Sequence, residues 1–161
     1  MQIRPATQDD HTAIWAILKP IIRAGETYAL PRDMTAADAL AYWTGPDRQS
    51  FVAMAEDQNI IGTYYLRANQ QGGGAHVANC GYATAAHATG QGVARAMCAH
   101  SLNLAAAQGF TAMQFNFVIA SNLRAVKLWH SLGFETIGRL PAAFRHPTLG
   151  ATDALVMFRA L

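Results

Sequence analysis

From residue 77 a run of β-type residues, Val77-Ala-Asn-Cys-Gly-Tyr-Ala-Thr84, breaks into the turn Thr89-Gly90-Gln91-Gly92 and opens directly into the helical stretch that begins Val93-Ala94-Arg95. Gly90 and Gly92 permit backbone conformations that other residues avoid. A turn of this kind aims successive N–H groups outward at the positive end of the helix that follows. The chemistry expected there is capture of an anion, a phosphate above all. A lone Gly-x-Gly also begins many ordinary helices, so the reading depends on what comes after it.

What comes after is Asn122-x-x-Ala125-x-x-x-Trp129-x-x-x-Gly133-Phe134. As a helix, this segment takes Ser121 as its N-cap, places Ala125, Leu128, Trp129 and Leu132 on one face and stops at Gly133. Alone it describes an amphipathic helix. Together the two motifs resemble the GCN5-related N-acetyltransferases (GNAT), whose pattern is a strand, a Q/R-x-x-G-x-G/A turn, a helix, a strand and then N-x-x-A-x-x-L-Y-x-x-x-G-F. Here the turn reads Thr89-x-x-Gly92-x-Ala94, and Trp129 stands where the family has Tyr. Order and spacing fit from about Ile3 to Leu161.

Composition agrees with one domain over residues 1–161: 52% of residues are hydrophobic and 14% charged, enough to bury a sizeable core. The net charge of +2 comes without a Lys/Arg block, which leaves no nucleic-acid footprint. Apolar stretches are too short to span a bilayer, and residues 1–5 lack a signal peptide's regions, so a cytoplasmic protein with no membrane partner is expected. Cys80 and Cys98 lack C-x-x-C spacing and read as reduced core residues. The six His residues form no ligand cluster, so no metal is expected.

The remaining pattern supplies the other elements. Residues 2–5 read as a strand. Thr7 and Asp10 cap a helix with Ile14, Ile17, Leu18 and Ile21 on one face, kinked by Pro20 and ended by Gly25, and Thr35 caps a second helix ending at Gly45-Pro46. Segments 50–55 and 60–67 make a hairpin, and 69–74 a mobile Gly-rich loop. A helix over 91–107 leads to a strand over 110–119 with Met113, Phe115, Phe117 and Ile119 on one face and Gln114 and Asn116 on the other. Segments 135–140 and 152–159 close the fold around a Pro/Gly loop. The result is α/β, a mixed twisted sheet of about seven strands with four helices.

The resemblance implies acetyl-CoA as cosubstrate. The amides around Gly90, Gln91, Gly92, Val93 and Ala94, with Thr89, would hold its pyrophosphate, a role that suits backbone donors at a helix start. The pantetheine arm would lie where two central strands splay, around residues 79–84 and 114–119, pairing with the backbone of Tyr82, Ala83 and Thr84. Asn122 would contact that arm. Trp129, whose indole N–H does not titrate, would pack against it rather than protonate the departing thiolate. A backbone N–H near Tyr82 would stabilise the developing oxyanion. Where relatives place a Glu as general base stands Asn79, which can orient an amine or water but cannot accept its proton.

A closer likeness lies in residues 76–82, 114–122 and 128–139, which resemble the azetidine-2-carboxylate N-acetyltransferases. That branch implies Asn79 and Asn116 as holders of a small amino or imino acid, with Glu26, Thr27 and Tyr28 on the acceptor loop. Tyr64, Tyr65 and Arg67 can line the acceptor pocket but read first as strand core, and Arg145 lies in a loop that can close over the substrate, where it is a candidate to bind a substrate carboxylate. The likeness implies a homodimer, with the apolar run 154–158 as an edge for pairing. The function expected is direct acetyl transfer to a small-molecule amine. A protein-acetylating enzyme and a non-catalytic acyl-CoA-binding sensor are the alternatives.

Overall fold

The structure, a computed structural model, describes residues 1–161. Strand β1 (Gln2–Pro5) turns into helix α1 (His11–Ala24) through a capping box. Asp10 accepts the Thr7 N–H at 2.7 Å and two bonds from Arg4 at 2.7 and 2.8 Å. The Arg4 hydrogen bonds, ahead of those from Thr7, hold its carboxyl down at about 2. Helix α1 buries Ile14, Ile17, Leu18 and Ile22, continues through Pro20 and ends at Gly25, whose φ of 68° is the left-handed cap that suits glycine. Thr35 caps α2 (Ala36–Trp43) by accepting the Asp38 N–H.

Strands β2 (Gln49–Met54), β3 (Ile60–Ala68) and β4 (Val77–Thr84) continue the sheet from β1 as an antiparallel meander. Helix α3 (Val93–Ala107) then crosses over to β5 (Ala112–Ile119), which lies parallel to β4. After α4 (Leu123–Ser131), β6 (Glu135–His146) and β7 (Gly150–Ala160) form a hairpin that inserts β7 next to β5. The sheet order is β1-β2-β3-β4-β5-β7-β6. This is the mixed α/β sheet of seven strands and four helices that the sequence pattern describes.

Adjacent residues of β3 show how the helices cover both faces. A Cβ at Gly62 would sit 2.8 Å from Val93 and 3.0 Å from Met97 of α3, whereas the Thr63 hydroxyl takes the Trp43 indole N–H of α2 at 2.9 Å. Consecutive strand residues point to opposite faces, so α2 and α3 lie on opposite sides. Apolar residues of all four helices join the strands in the core.

Four expectations need correction. Asn122, not Ser121, caps α4: its Oδ1 accepts the Ala125 N–H at 3.2 Å. The expected 140–152 loop is mostly strand. Asp153 accepts the Ala142 N–H at 2.9 Å and holds a bulge through which β6 continues, so Arg145 pairs with Ala151 in the ladder rather than closing over a site. The run 154–158 offers no edge, because β6 folds back onto β7 and makes itself the outer strand. Phe117 leaves the face of Phe115, since three steps on β5 oppose two on β7 between Phe115 and Val118, and it contacts Phe144 instead.

Candidate active site

Pairing between β4 and β5 stops after Ala78 and Met113. The bonds Asn69 N to Val77 O and Ala85 N to Ile61 O show that odd-numbered residues of β4 bond to β3. Ala78, Cys80, Tyr82 and Thr84 therefore turn their N–H and C=O groups toward β5. The next rung would set the Cys80 N–H on the Gln114 carbonyl. Instead the strands part, and Asn79 Nδ2 donates to that carbonyl at 2.9 Å. One side chain thus replaces the missing rung while the bulge at 115–118 carries β5 away. The parting opens a cleft of about 780 Å³.

One end of the cleft is the glycine turn. Gly90 and Gly92 have φ of 89° and 81°, left-handed values that glycine reaches without strain. The first N–H bonded along α3 is that of Ala96, to Gly92 O, so those of Gly92, Val93, Ala94 and Arg95 have no acceptor in the protein. Four donors converge at a helix N-terminus, where the dipole favours an anion. Thr89 supports the turn from within, its hydroxyl bonding Ala85 O at 3.2 Å. Arg124 reaches over it, with Nη2 3.2 Å from where a Cβ of residue 90 would stand. Arg95, Arg124 and Lys127 border this end.

The other end is made of side chains. The Tyr28 hydroxyl donates to Tyr82 O at 2.6 Å, tying the loop after α1 to the cleft edge of β4. Burial pushes the Tyr28 phenol well above the ordinary tyrosine range, so it acts as a neutral donor. Asn116 Nδ2 bonds Asn69 at 2.6 Å and its Oδ1 receives Gln114 Nε2 at 2.9 Å, an amide chain along one face of the split. Tyr42, Tyr65 and Arg67 complete this wall.

Between the ends, Tyr82 turns its backbone into the cleft while its hydroxyl pairs with Ser101 at 2.7 Å. Trp129 packs on the Tyr82 and Phe115 rings, each centroid 5.1 Å away, and its Nε1 has no acceptor in the protein. Arg67, Arg95, Arg124 and Lys127 are the charged residues that border the cleft; no Asp, Glu or His does. Burial pushes the Cys80 thiol up to about 12, which removes it as a nucleophile near neutral pH.

Tyr28, Asn79, Tyr82, Ala83, Thr84, Thr89, Gly90, Gly92, Val93, Ala94, Asn116, Asn122 and Trp129 all border this cleft, as does Thr27. Two expected residues do not. Glu26 is exposed beyond the α1 cap, and Gln91, expected among the amide donors, instead gives its N–H to Ala88 O at 3.3 Å and its side-chain amide to His87 O at 2.9 Å. Asn122 spends its Oδ1 on the helix cap, which leaves its amide N–H groups for a ligand. Sequence reasoning missed the cations over the turn, although Arg124 and Lys127 share the helix face of Leu128, and it ranked Arg67 as core ahead of the pocket lining where the structure places it.

Comparisons with known proteins agree with this geometry. The model of the acetyltransferase (GNAT) family matches residues 12–134. A GCN5-related N-acetyltransferase from Kribbella flavida is 42% identical, with a TM-score of 0.94 over 99% of this chain and 97% of its own. A phosphinothricin acetyltransferase from Sinorhizobium meliloti, solved in complex with acetyl-CoA, shares the fold at 21% identity, with a TM-score of 0.87 over 99% of this chain and 88% of its own. N-acetyltransferase aca1 of Schizosaccharomyces pombe is 29% identical over 87 residues, which are 54% of this chain and 42% of that protein's length. With the matched region spanning the glycine turn, the strand split and the Asn122 helix together, the chain belongs to the acetyltransferase (GNAT) family of N-acetyltransferases.

Proposed function

We propose that the protein transfers the acetyl group of acetyl-CoA directly to the amine of a small amino or imino acid. The observation that carries this reading is the two-ended cleft, with four unpaired amides and three cations at one end and an amide-lined pocket at the other, joined along the free backbone edge of β4. The residues present fit the cosubstrate: Gly92, Val93, Ala94 and Arg95 N–H groups for its pyrophosphate, the Tyr82 and Thr84 edge for its pantetheine, Asn122 beside that arm. When bound, the thioester supplies an activated acyl group. The Tyr82 N–H, aimed into the cleft, donates to the oxyanion that develops on attack. With no carboxylate or imidazole bordering the cleft, the proton from the amine leaves through water, and Trp129 contributes packing rather than a proton.

The walls at Tyr28, Tyr42 and Tyr65 favour a compact acceptor over an extended peptide, and Asn79 and Asn116 both border the pocket as the azetidine-2-carboxylate branch implies. We infer a single domain over 1–161. The exposed Ile137 and Leu140 on the outer strand β6 support a homodimer, and the two unpaired buried thiols suit the reducing cytoplasm. Thiol release from acetyl-CoA across a panel of amino acids, imino acids, polyamines and peptides tests the transfer. Turnover with small amino or imino acids alone is the expected result; turnover with peptides alone rejects the acceptor class, and cofactor binding without any turnover leaves a sensor. Light scattering tests the dimer against a 17.3 kDa monomer.

A further inference from the structure

Arg95, Arg124 and Lys127 belong to the phosphate end, so Arg67 is the one charged side chain bordering the acceptor end. It is loosely tied. Its Nη1 reaches Asp47 at 3.2 Å and its Nε lies 3.5 Å from Asn79 Oδ1, while its other N–H donors have no acceptor in the protein. Asp47 is bound more firmly by Arg48, which gives it Nε at 2.9 Å and Nη2 at 3.2 Å. Two guanidiniums therefore share a single carboxylate, and the cluster keeps an excess of positive charge.

Arg48 adds an independent sign. Its side chain is only 8% exposed, it lies 4.8 Å from the centres of both the Tyr42 and Tyr65 rings, and its Nη1 is buried with no hydrogen-bond partner. Such an orphaned donor is rare and costly. Tyr42 and Tyr65 border the cleft, so this buried charge stands behind the wall on which an acceptor would rest, where it favours a negative group.

We propose that Arg67 anchors a carboxylate of the acceptor, with Arg48 fixed behind Tyr42 and Tyr65 to retain Asp47 and keep the pocket positive. This rests on the transfer reading above and narrows its substrates to α-amino and imino acids with a free carboxylate. The planar fork of Arg67 suits a carboxylate, which takes two N–H donors at once. Asp47 loses one bond in the exchange and keeps two from Arg48. Across the β3–β4 pair Arg67 faces Asn79, and about 10 Å of strand separates Asn79 from Tyr82. An arginine side chain and a compact amino acid together cover a span of that order. Polyamines find no acid in the cleft to receive them.

The test compares proline, azetidine-2-carboxylate and alanine with their primary amides, in wild type and Arg67→Gln, by initial rates of thiol release. Wild type should favour each acid over its amide at least tenfold in kcat/KM, although the amide has the less basic and more readily neutral amine. Arg67→Gln should raise KM for the acids about 30-fold, leave the amides within about threefold and keep acetyl-CoA affinity unchanged by calorimetry. Asp47→Asn, which frees Arg67, should lower KM for the acids. Equal use of acids and amides by wild type, or equal losses for both in Arg67→Gln, overturns the anchor and leaves the transfer reading standing. An enzyme that binds acetyl-CoA but turns over neither series sinks the transfer reading, and this one with it.

Discussion

At one end of the cleft a single short stretch, residues 92–95, offers unpaired backbone amides, whereas at the other, proposed acceptor end Tyr28, Tyr42, Arg67, Asn79 and Asn116 come from separate elements and act through side chains. The difference governs what each end tolerates. Where amides bind, side chains are replaceable, and Thr89 can stand in a Gln/Arg position because its hydroxyl still supports the turn; what cannot change is the left-handed backbone at Gly90 and Gly92. At the acceptor end each contact can be altered singly. On the proposed function, affinity for the cosubstrate and choice of acceptor should therefore be separable within one cleft.

Gly92→Asp challenges that separation with the largest expected effect. No heavy atom lies within 4 Å of a Cβ at this position, and an aspartate beside a helix start can itself accept from the first N–H groups, so the variant should fold while occupying the donors. Acetyl-CoA affinity should fall about 100-fold or more. Gly92→Ala, which meets only the left-handed strain of about 1 kcal/mol, should lose several-fold. Calorimetry reads both, and unchanged affinity in a folded Gly92→Asp rejects the phosphate turn.

Asn79 stands where the two ends join. Asn79→Ala leaves the Gln114 carbonyl without its donor and should reduce kcat about 30-fold and unfolding free energy by about 1 to 3 kcal/mol, with little change in acetyl-CoA affinity. Asn79→Asp, an acceptor in place of a donor, should not restore activity, and a fully active Asp variant would mean that the strand clamp is irrelevant to turnover. By contrast, Asn116→Ala should act mainly on KM for the acceptor.

Trp129→Phe should keep kcat within about tenfold, because the ring contacts with Tyr82 and Phe115 survive in part. A loss beyond about a hundredfold with intact cofactor affinity would assign the indole N–H to the transition state.

Asp10→Asn lies outside both ends and should leave kinetics untouched. The folded-state pKa of Asp10 is depressed to about 2, below an unfolded value near 4, so its ion pair with Arg4 stabilises above that value and fades as pH falls through about 2. With Arg4 partly exposed, the wild type should exceed the variant by roughly 1 to 2 kcal/mol at pH 7, a gap that closes toward pH 2. Chemical denaturation at several pH values measures it.

The glycine turn and the Asn122 helix are legible in sequence because each is local: glycines and apolar spacing lie within a dozen or so residues, and only the cap shifts by one, from Ser121 to Asn122. Asn79 and Asn116 are found through a resemblance, yet the bond from Asn79 to the Gln114 carbonyl depends on where the parallel pairing ends, which no local pattern announces. The bulge at 115–118 and its displacement of Phe117 are hidden for the same reason. Arg67 looks like any strand arginine until the β3–β4 register sets it beside Asn79. Glu26 misleads because it is two residues from Tyr28 in a turn that points one side chain into the cleft and the other to solvent. The strand that continues through 140–146 is masked by Pro141, and the bulge that accommodates it is held by Asp153 across the β6–β7 hairpin, a pairing that no periodicity announces.

The bond from Asn79 to the Gln114 carbonyl also bears on how heat is exchanged when the cleft fills. Because the Asn79 amide already satisfies the Gln114 carbonyl on the parted edge, β4 and β5 gain little by closing. Binding then involves no refolding of the sheet. Its heat-capacity change should be negative and scale with the apolar lining removed from water, without the larger signature of coupled folding, and Asn79→Ala should be the variant in which that proportionality fails.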